Sequence, residues 1–239
     1  KESERGFIDE YFSTFIFIMI LYMTLIIYGS SIMRSIIQEK SSRIMEVLLG
    51  SANPFQLMTG KILGHGSVGL TQYVIWAVFG IFLVFYGGNI LPFSEKYFSF
   101  EPMIFVYFII FYLLGYFFYS ALFTAIGAIT NSDQEAQQLI FPIIMFLIVP
   151  IMLLGLMVKA PDSTLIRTMS MIPFFSPIMM FGRINLANPP MLEILGSILI
   201  LIVSIIFVVW LVAKIFRVGI LMYGKRPTLP EIIKWMSYK

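Results

Sequence analysis

Five uninterrupted apolar stretches constrain this chain more than any other feature. They are Tyr11 to Met33, which is uncharged throughout, then stretches within Ile62 to Tyr86 and within Met103 to Thr130, then Ala136 to Val158 and Ile194 to Ala213. Crossing about 30 Å of hydrocarbon takes about 20 residues, so each is long enough to span a bilayer. Hydrophobic residues make up 59% of the chain and mean hydropathy is +0.91, well above the roughly half-apolar make-up of soluble domains. In lipid every backbone N–H and C=O must find an internal partner, and a single apolar run meets that demand as a helix. The expected fold is therefore all-α: a polytopic membrane protein with five transmembrane helices.

The expected organisation follows from those runs. Residues 1–10 form a juxtamembrane remnant, and spans occupy 11–35, 61–86, 103–130, 139–158 and 191–216. Connecting them are a charged segment at 36–60, a loop at 87–102, a short polar turn at 131–138 and a Pro-punctuated segment at 159–190. A tail closes the chain at 217–239. Lys and Arg concentrate on the cytoplasmic side of membrane proteins. With the charged segment inside, that side carries Arg34, Lys40, Arg43, Lys61, Lys214, Arg217, Lys225, Arg226, Lys234 and Lys239. The other side keeps Lys1, Arg5, Lys96, Lys159, Arg167 and Arg183. The excess places the N-terminus, the 87–102 loop and the 159–190 segment outside, and the 131–138 turn and the tail inside.

Charged residues are only 12% of the chain, yet Glu39, Lys40, Arg43 and Glu46 crowd into EKSSRIMEVLLGS. At 100° per residue, Glu39, Ser42, Arg43 and Glu46 share one helical face, while Ile37, Ile44, Val47 and Leu48 share the other. Such a helix is too short to span and belongs at the membrane surface, where it either anchors the first span or docks a cytosolic partner. Glu39 and Arg43, four residues apart, can pair and stiffen it. Gly50 is a natural terminator, and Asn53–Pro54 reads as the cap and first residue of the next helix.

These residues also resemble the ABC-2 family of transporter permeases, and within it the NatB-like, sodium-exporter branch. The family's Glu-Lys-x-x-Arg-x-Met-Glu-x-Leu-Leu run matches Glu39 to Leu49. Its Pro-led segment matches Pro54 to Leu57, and its Gly-Lys-Ile-Leu-Gly motif matches Gly60 to Gly64. NSDQEAQQLIFP (Asn131 to Pro142) and IPFFSPIMMFGR (Ile172 to Arg183) match two further segments in the family's order. The resemblance implies a permease of the cell membrane that moves substrate outward by alternating access. ATP and Mg would sit on a separate ABC ATPase subunit, and a second permease chain, identical or not, would face this one. The resemblance makes the amphipathic segment a coupling helix, so Glu39, Ser42, Arg43 and Glu46 are expected at the ATPase. It also implies that the chain is the C-terminal membrane part, with an earlier helix and an extracellular domain preceding Tyr11. The chain begins at Lys1 with no signal-peptide pattern.

Ser132 and Glu135 form an S-x-x-E capping box, and Asp133 adds negative charge at a helix start. Local capping accounts for that polarity; a second, smaller ATPase contact through Asp133 and Glu135 is the functional alternative. Gln137 and Gln138 are expected to hydrogen-bond a neighbouring helix, with lining a polar entrance as the alternative. In the 159–190 segment, SMIPFFSPIMMF is too apolar for an aqueous loop and too broken for a span. It reads as re-entrant helices covered by protein. The resemblance sets Pro173, Phe174, Phe175 and Pro177 at an external gate; a packing plug is the plainer alternative. His65 reads as an interfacial histidine, and Lys61 as a side chain snorkelling to the surface.

Several classes fall away. The only Gly-Lys pairs, Gly60-Lys61 and Gly224-Lys225, are followed by Ile and Arg, so no P-loop exists. Neither H-E-x-x-H nor G-x-S-x-G occurs, and there is no cysteine, so no enzymatic activity, resident cofactor or metal site is expected. The net charge of +3 is not gathered into a nucleic-acid-binding face. Two other readings stay open: an ATP-independent channel or carrier, and a non-transporting assembly subunit. The spans lack the buried charges and internal repeat that carriers often show.

Overall fold

The computed structural model describes residues 2–87, 102–222 and 230–231. The expected 87–102 loop, apart from its two end residues, and most of the 217–239 tail lie outside them. So do Lys1, Lys96, Lys225, Arg226, Lys234 and Lys239 of the orientation count. The described residues form helices and no strand. In chain order these are α1 (Glu2–Ser41), α2 (Ile44–Leu49), α3 (Pro54–Gly87), α4 (Pro102–Ile129), α5 (Asp133–Met152), α6 (Leu154–Lys159), α7 (Thr164–Met169), α8 (Ser176–Ala187) and α9 (Met191–Gly219).

Among the described residues five segments are long and apolar enough to cross a membrane, as expected: Tyr11–Ser41, Pro54–Phe79, Met103–Ile129, Asp133–Lys159 and Met191–Gly219. The fourth is a broken one. Pro142 and Pro150 each lack the N–H that a helix interior needs, and regular winding stops at Leu153 before resuming as α6.

α4 is the centre of the bundle, packed by α1, α9, α8 and α3. Its buried face carries seven aromatic rings, Phe108, Phe111, Tyr112, Tyr116, Phe118, Tyr119 and Phe123, interleaved with small and polar residues such as Gly115, Ser120, Ala121 and Thr124. Lipid tails are as apolar as these rings, so their transfer into the bundle gains little. What holds such helices is close packing and interhelical hydrogen bonds. Both are visible here. A Cβ on Gly127 would lie 2.9 Å from the Met33 carbonyl oxygen of α1, and one on Gly219 would lie 2.9 Å from the Ala128 carbonyl oxygen. Thr24 Oγ1 and Tyr73 Oη are 2.5 Å apart across α1 and α3. Tyr28 donates to Gln72 Oε1, and Tyr116 donates to the Ile62 carbonyl at 2.6 Å.

The close approaches of Gly127 and Gly219 gather one end of the bundle: the C-terminal ends of α1, α4 and α9. Segments expected to share one membrane face thus do share one end of the fold.

Candidate functional site

The charged end is built from α1, α2, α3 and the 131–135 turn. The first span does not stop near residue 35; α1 continues as helix to Ser41. It then breaks. Ser42 donates to the Gln38 carbonyl at 2.8 Å, and Arg43 turns left-handed at φ 59° before α2 starts. This corrects the expected single amphipathic helix. Glu39 lies on α1, Ser42 and Arg43 lie in the turn, and Glu46 lies on α2. The expected oily face is divided as well. Ile37 is buried on α1, while Ile44 and Val47 are 50% and 76% exposed and α2 buries Met45 instead.

Nor do Glu39 and Arg43 pair. Glu39 Oε1 accepts from Lys61 Nζ of α3 at 2.5 Å, and the same ammonium donates to Ser35 Oγ at 2.8 Å. Lys61 is therefore held against α1 rather than snorkelling to the surface. The left-handed turn explains the exchange, because it swings Arg43 out of reach and leaves it exposed. Arg43, Glu46 and Ser42 all point away from the bundle. As expected, Gly50 follows the last residue of α2 and Pro54 opens α3; the Asn53 N–H is held by Gln56 Oε1 at 3.0 Å. An open groove of about 500 Å³ lies beside α2, lined in part by Leu48, Gln56, Lys61 and His65. His65 Nδ1 is 3.1 Å from the Lys61 carbonyl oxygen.

The Ser132 half of the capping box forms as expected, while the Glu135 carboxylate reaches one residue beyond the cap. Ser132 Oγ accepts from the Glu135 N–H at 3.3 Å, and Glu135 Oε2 accepts from the Asn131 N–H at 3.1 Å. Asp133 is exposed. Gln137 and Gln138 are exposed too, so the expectation that they bond a neighbouring helix is not met within this chain. Sequence reasoning missed Lys40. Only 2% exposed, it reaches under the turn to the Ala128 carbonyl at 2.9 Å and the Thr130 carbonyl at 3.3 Å. It thereby brings the Glu39–Glu46 segment and the 131–135 turn together.

Pro177 is buried in the bundle, while Pro173, Phe174 and Phe175 are half-buried against it. Tyr119 of α4 donates to the Phe174 carbonyl. The Phe174 ring lies 5.1 Å from Phe118 and 4.6 Å from Phe146, and Phe175 lies 5.8 Å from Phe146. Pro177 rests on Gly115, where a Cβ would come within 2.8 Å of it. From there α8 runs back along α4 to Phe181, which meets Phe108 and Phe17. Asn185 then donates to Thr14 at 2.8 Å. Every residue from Ser176 to Ile184 is buried.

That burial includes Arg183, which the sequence reading counted only as an outside charge. The structure shows it fully buried and paired on every side. Nη1 donates to Glu193 Oε2 at 2.9 Å and to Ser170 Oγ at 3.1 Å. Nη2 donates to Asp162 Oδ1 at 3.2 Å, and Nε to the Pro161 carbonyl at 3.1 Å. Arg167 takes the other Glu193 oxygen at 2.5 Å. One guanidinium thus ties the 161–170 stretch, α8 and the start of α9.

Among the described residues no cluster of His, Cys, Asp or Glu could hold a metal. The profile of the ABC-2 family transporter proteins matches residues 3–214. Similar curated proteins are an uncharacterized protein of Methanocaldococcus jannaschii, MJ1024, and one of Bacillus subtilis, YhaP. The first is 34% identical over 236 residues, 97% of this chain and 56% of the relative. The second is 31% identical over 230 residues, 91% of this chain and 53% of the relative. The chain spans about half the length of these relatives, and no solved structure matches it. A family match over nearly the whole length, on a bundle with five helices suited to a membrane, identifies a multi-pass membrane protein, and the chain belongs to the ABC-2 family of transporter proteins.

Proposed function

We propose that the chain is the permease part of an ATP-driven exporter in the cell membrane. A separate ABC ATPase docks at the charged end, and a second permease chain completes the pathway. One observation carries this reading. Two segments far apart in sequence, 39–46 and 131–135, meet at one end, with Arg43, Glu46 and Asp133 all exposed there. An anchor helix alone needs apolar residues toward the membrane and gains nothing from charges shared with a second turn. Ile44 and Val47, exposed beside those charges, add apolar area of the kind that fills the centre of a protein interface. The NatB-like branch remains the finer reading of the motifs.

The test is a pull-down of candidate ABC ATPase subunits by the full-length protein. Arg43→Glu with Glu46→Lys is expected to lower binding at least tenfold, because charges meeting like charges at an interface cost about 1.4 kcal/mol or more. Membrane insertion should be unchanged, since both side chains face water. Normal binding by the variant would remove the docking assignment. ATP-independent flux through the wild type would favour a channel or carrier.

At the opposite end, the 172–175 turn and α8 form a re-entrant segment that closes the pathway outside. Its position beside Phe118 and Phe146 supports this, because the turn meets α4 and α5 well inside their length. Pro173→Ala with Pro177→Ala is expected to change transport rate while ATPase binding stays at the wild-type level. Loss of binding in that variant would count against a local gating role.

A further inference from the structure

Adjacent residues at the end of α1 reach in opposite directions. Glu39 holds Lys61 on α3. Lys40 turns inward, where its ammonium donates to the carbonyls of Ala128 and Thr130. Those carbonyls belong to the end of α4, where a helix has no partners of its own and its dipole is negative. Glu135, on the first turn of α5, is the carboxylate whose charge acts on the same ammonium.

A lysine is almost never this buried unless it is paired, and a surface charge would serve solubility better. Packing does not require it either. Gly127 already brings α4 onto the Met33 backbone one turn or more away. What the ammonium adds is a polar link at the point where α1 ends, immediately before the break at Ser42 and Arg43. It adds to the packing of α1 on α4 and α5 a hydrogen-bonded tie right beside α2 and the 131–135 turn.

We propose that Lys40 is a positioning residue that makes the 39–46 segment and the 131–135 turn move as one body. A displacement imposed on either is then delivered to α1, α4 and α5 together. The inference rests on reading those segments as the ATPase-docking surface, but it can fail separately.

This chain contains no cysteine, so once any cysteines elsewhere in the full-length protein and its ATPase are replaced by serine, two introduced here are the sites that take spin labels. Ser41→Cys and Gln138→Cys flank the link at exposed positions. In the full-length protein with its ATPase in liposomes, the distance between labels is expected to be narrowly distributed. It should stay unchanged when nucleotide binds. In Lys40→Met the distribution should broaden, and the two labels should shift relative to each other with nucleotide. Lys40→Arg, which keeps the donors, should restore the narrow form. A nucleotide-dependent shift in the wild type overturns the proposal even if Lys40→Met fails to fold. So does a Lys40→Met distribution identical to wild type. If no ATPase binds the wild type, the docking reading falls, while the broadening in ATPase-free liposomes still decides the role of Lys40.

Discussion

Arg183→Met is expected to cost about 3–5 kcal/mol of stability, the usual loss when one partner of a buried ion pair is removed. The effect should appear as a lowered melting temperature in detergent and a reduced amount of protein in the membrane. Arg167 would keep one oxygen of Glu193, which favours the lower half of that range. Asp162→Asn provides the contrast. The Asp162 side chain is 71% exposed, and an exposed ion pair contributes about 1 kcal/mol or less. Arg183→Met with Glu193→Leu should recover part of the loss, because replacing both members leaves no buried charge unpaired; the Arg167 side chain that loses Glu193 is 60% exposed and stays hydrated. Equal shifts for Arg183→Met and Asp162→Asn would show that the guanidinium is solvated, contrary to the structure.

A second large effect is expected at Gly127. Its neighbour is not a side chain that can rotate away but the Met33 carbonyl oxygen, 2.9 Å from where a Cβ would sit. Gly127→Leu must therefore push α1 away from α4. It should exceed the ~1–3 kcal/mol typical of overpacked cores, where side chains absorb part of the strain. Separation there would also draw Lys40 off the end of α4, so spin labels flanking the link should report it. Gly64→Ala serves as control, since nothing lies within 4 Å of that position. It should leave fold stability unchanged or raise it by up to about 1 kcal/mol through helix propensity. A Gly127→Leu protein that melts with the wild type would mean that the two helices are not in backbone contact.

What could be read from residues alone was whatever depends on neighbours in sequence. The five spans were legible because length and apolarity decide them without tertiary help. The capping box at Ser132 and the helix start at Pro54 were legible for the same reason: cap, first turn and partner lie within four residues. The break at Ser42–Arg43 was not. A left-handed residue is usually announced by Gly or Asn, and arginine carries no such signal; two adjacent serines, which can bond back to the preceding turn, were the only hint. That break is why Glu39 pairs with Lys61 instead of Arg43. Lys40 was hidden by its company, a buried charge within a run of exposed ones. Arg183 was the reverse case. A lone charge in IPFFSPIMMFGRI should have raised the question of a buried partner, but Glu193 and Asp162 are brought to it only by the fold.

α1 runs as one helix for 40 residues, about 60 Å at 1.5 Å per residue. A rod of that length acts as a lever arm. Pivoting it by about 5° at one end sweeps the other through about 5 Å, close to one helical turn. The end beside Lys40 is pinned on two sides, and α1 is continuous helix from there to Thr14, where Asn185 holds it. Small rotations at the charged end are therefore magnified, not damped, on their way to the far rim.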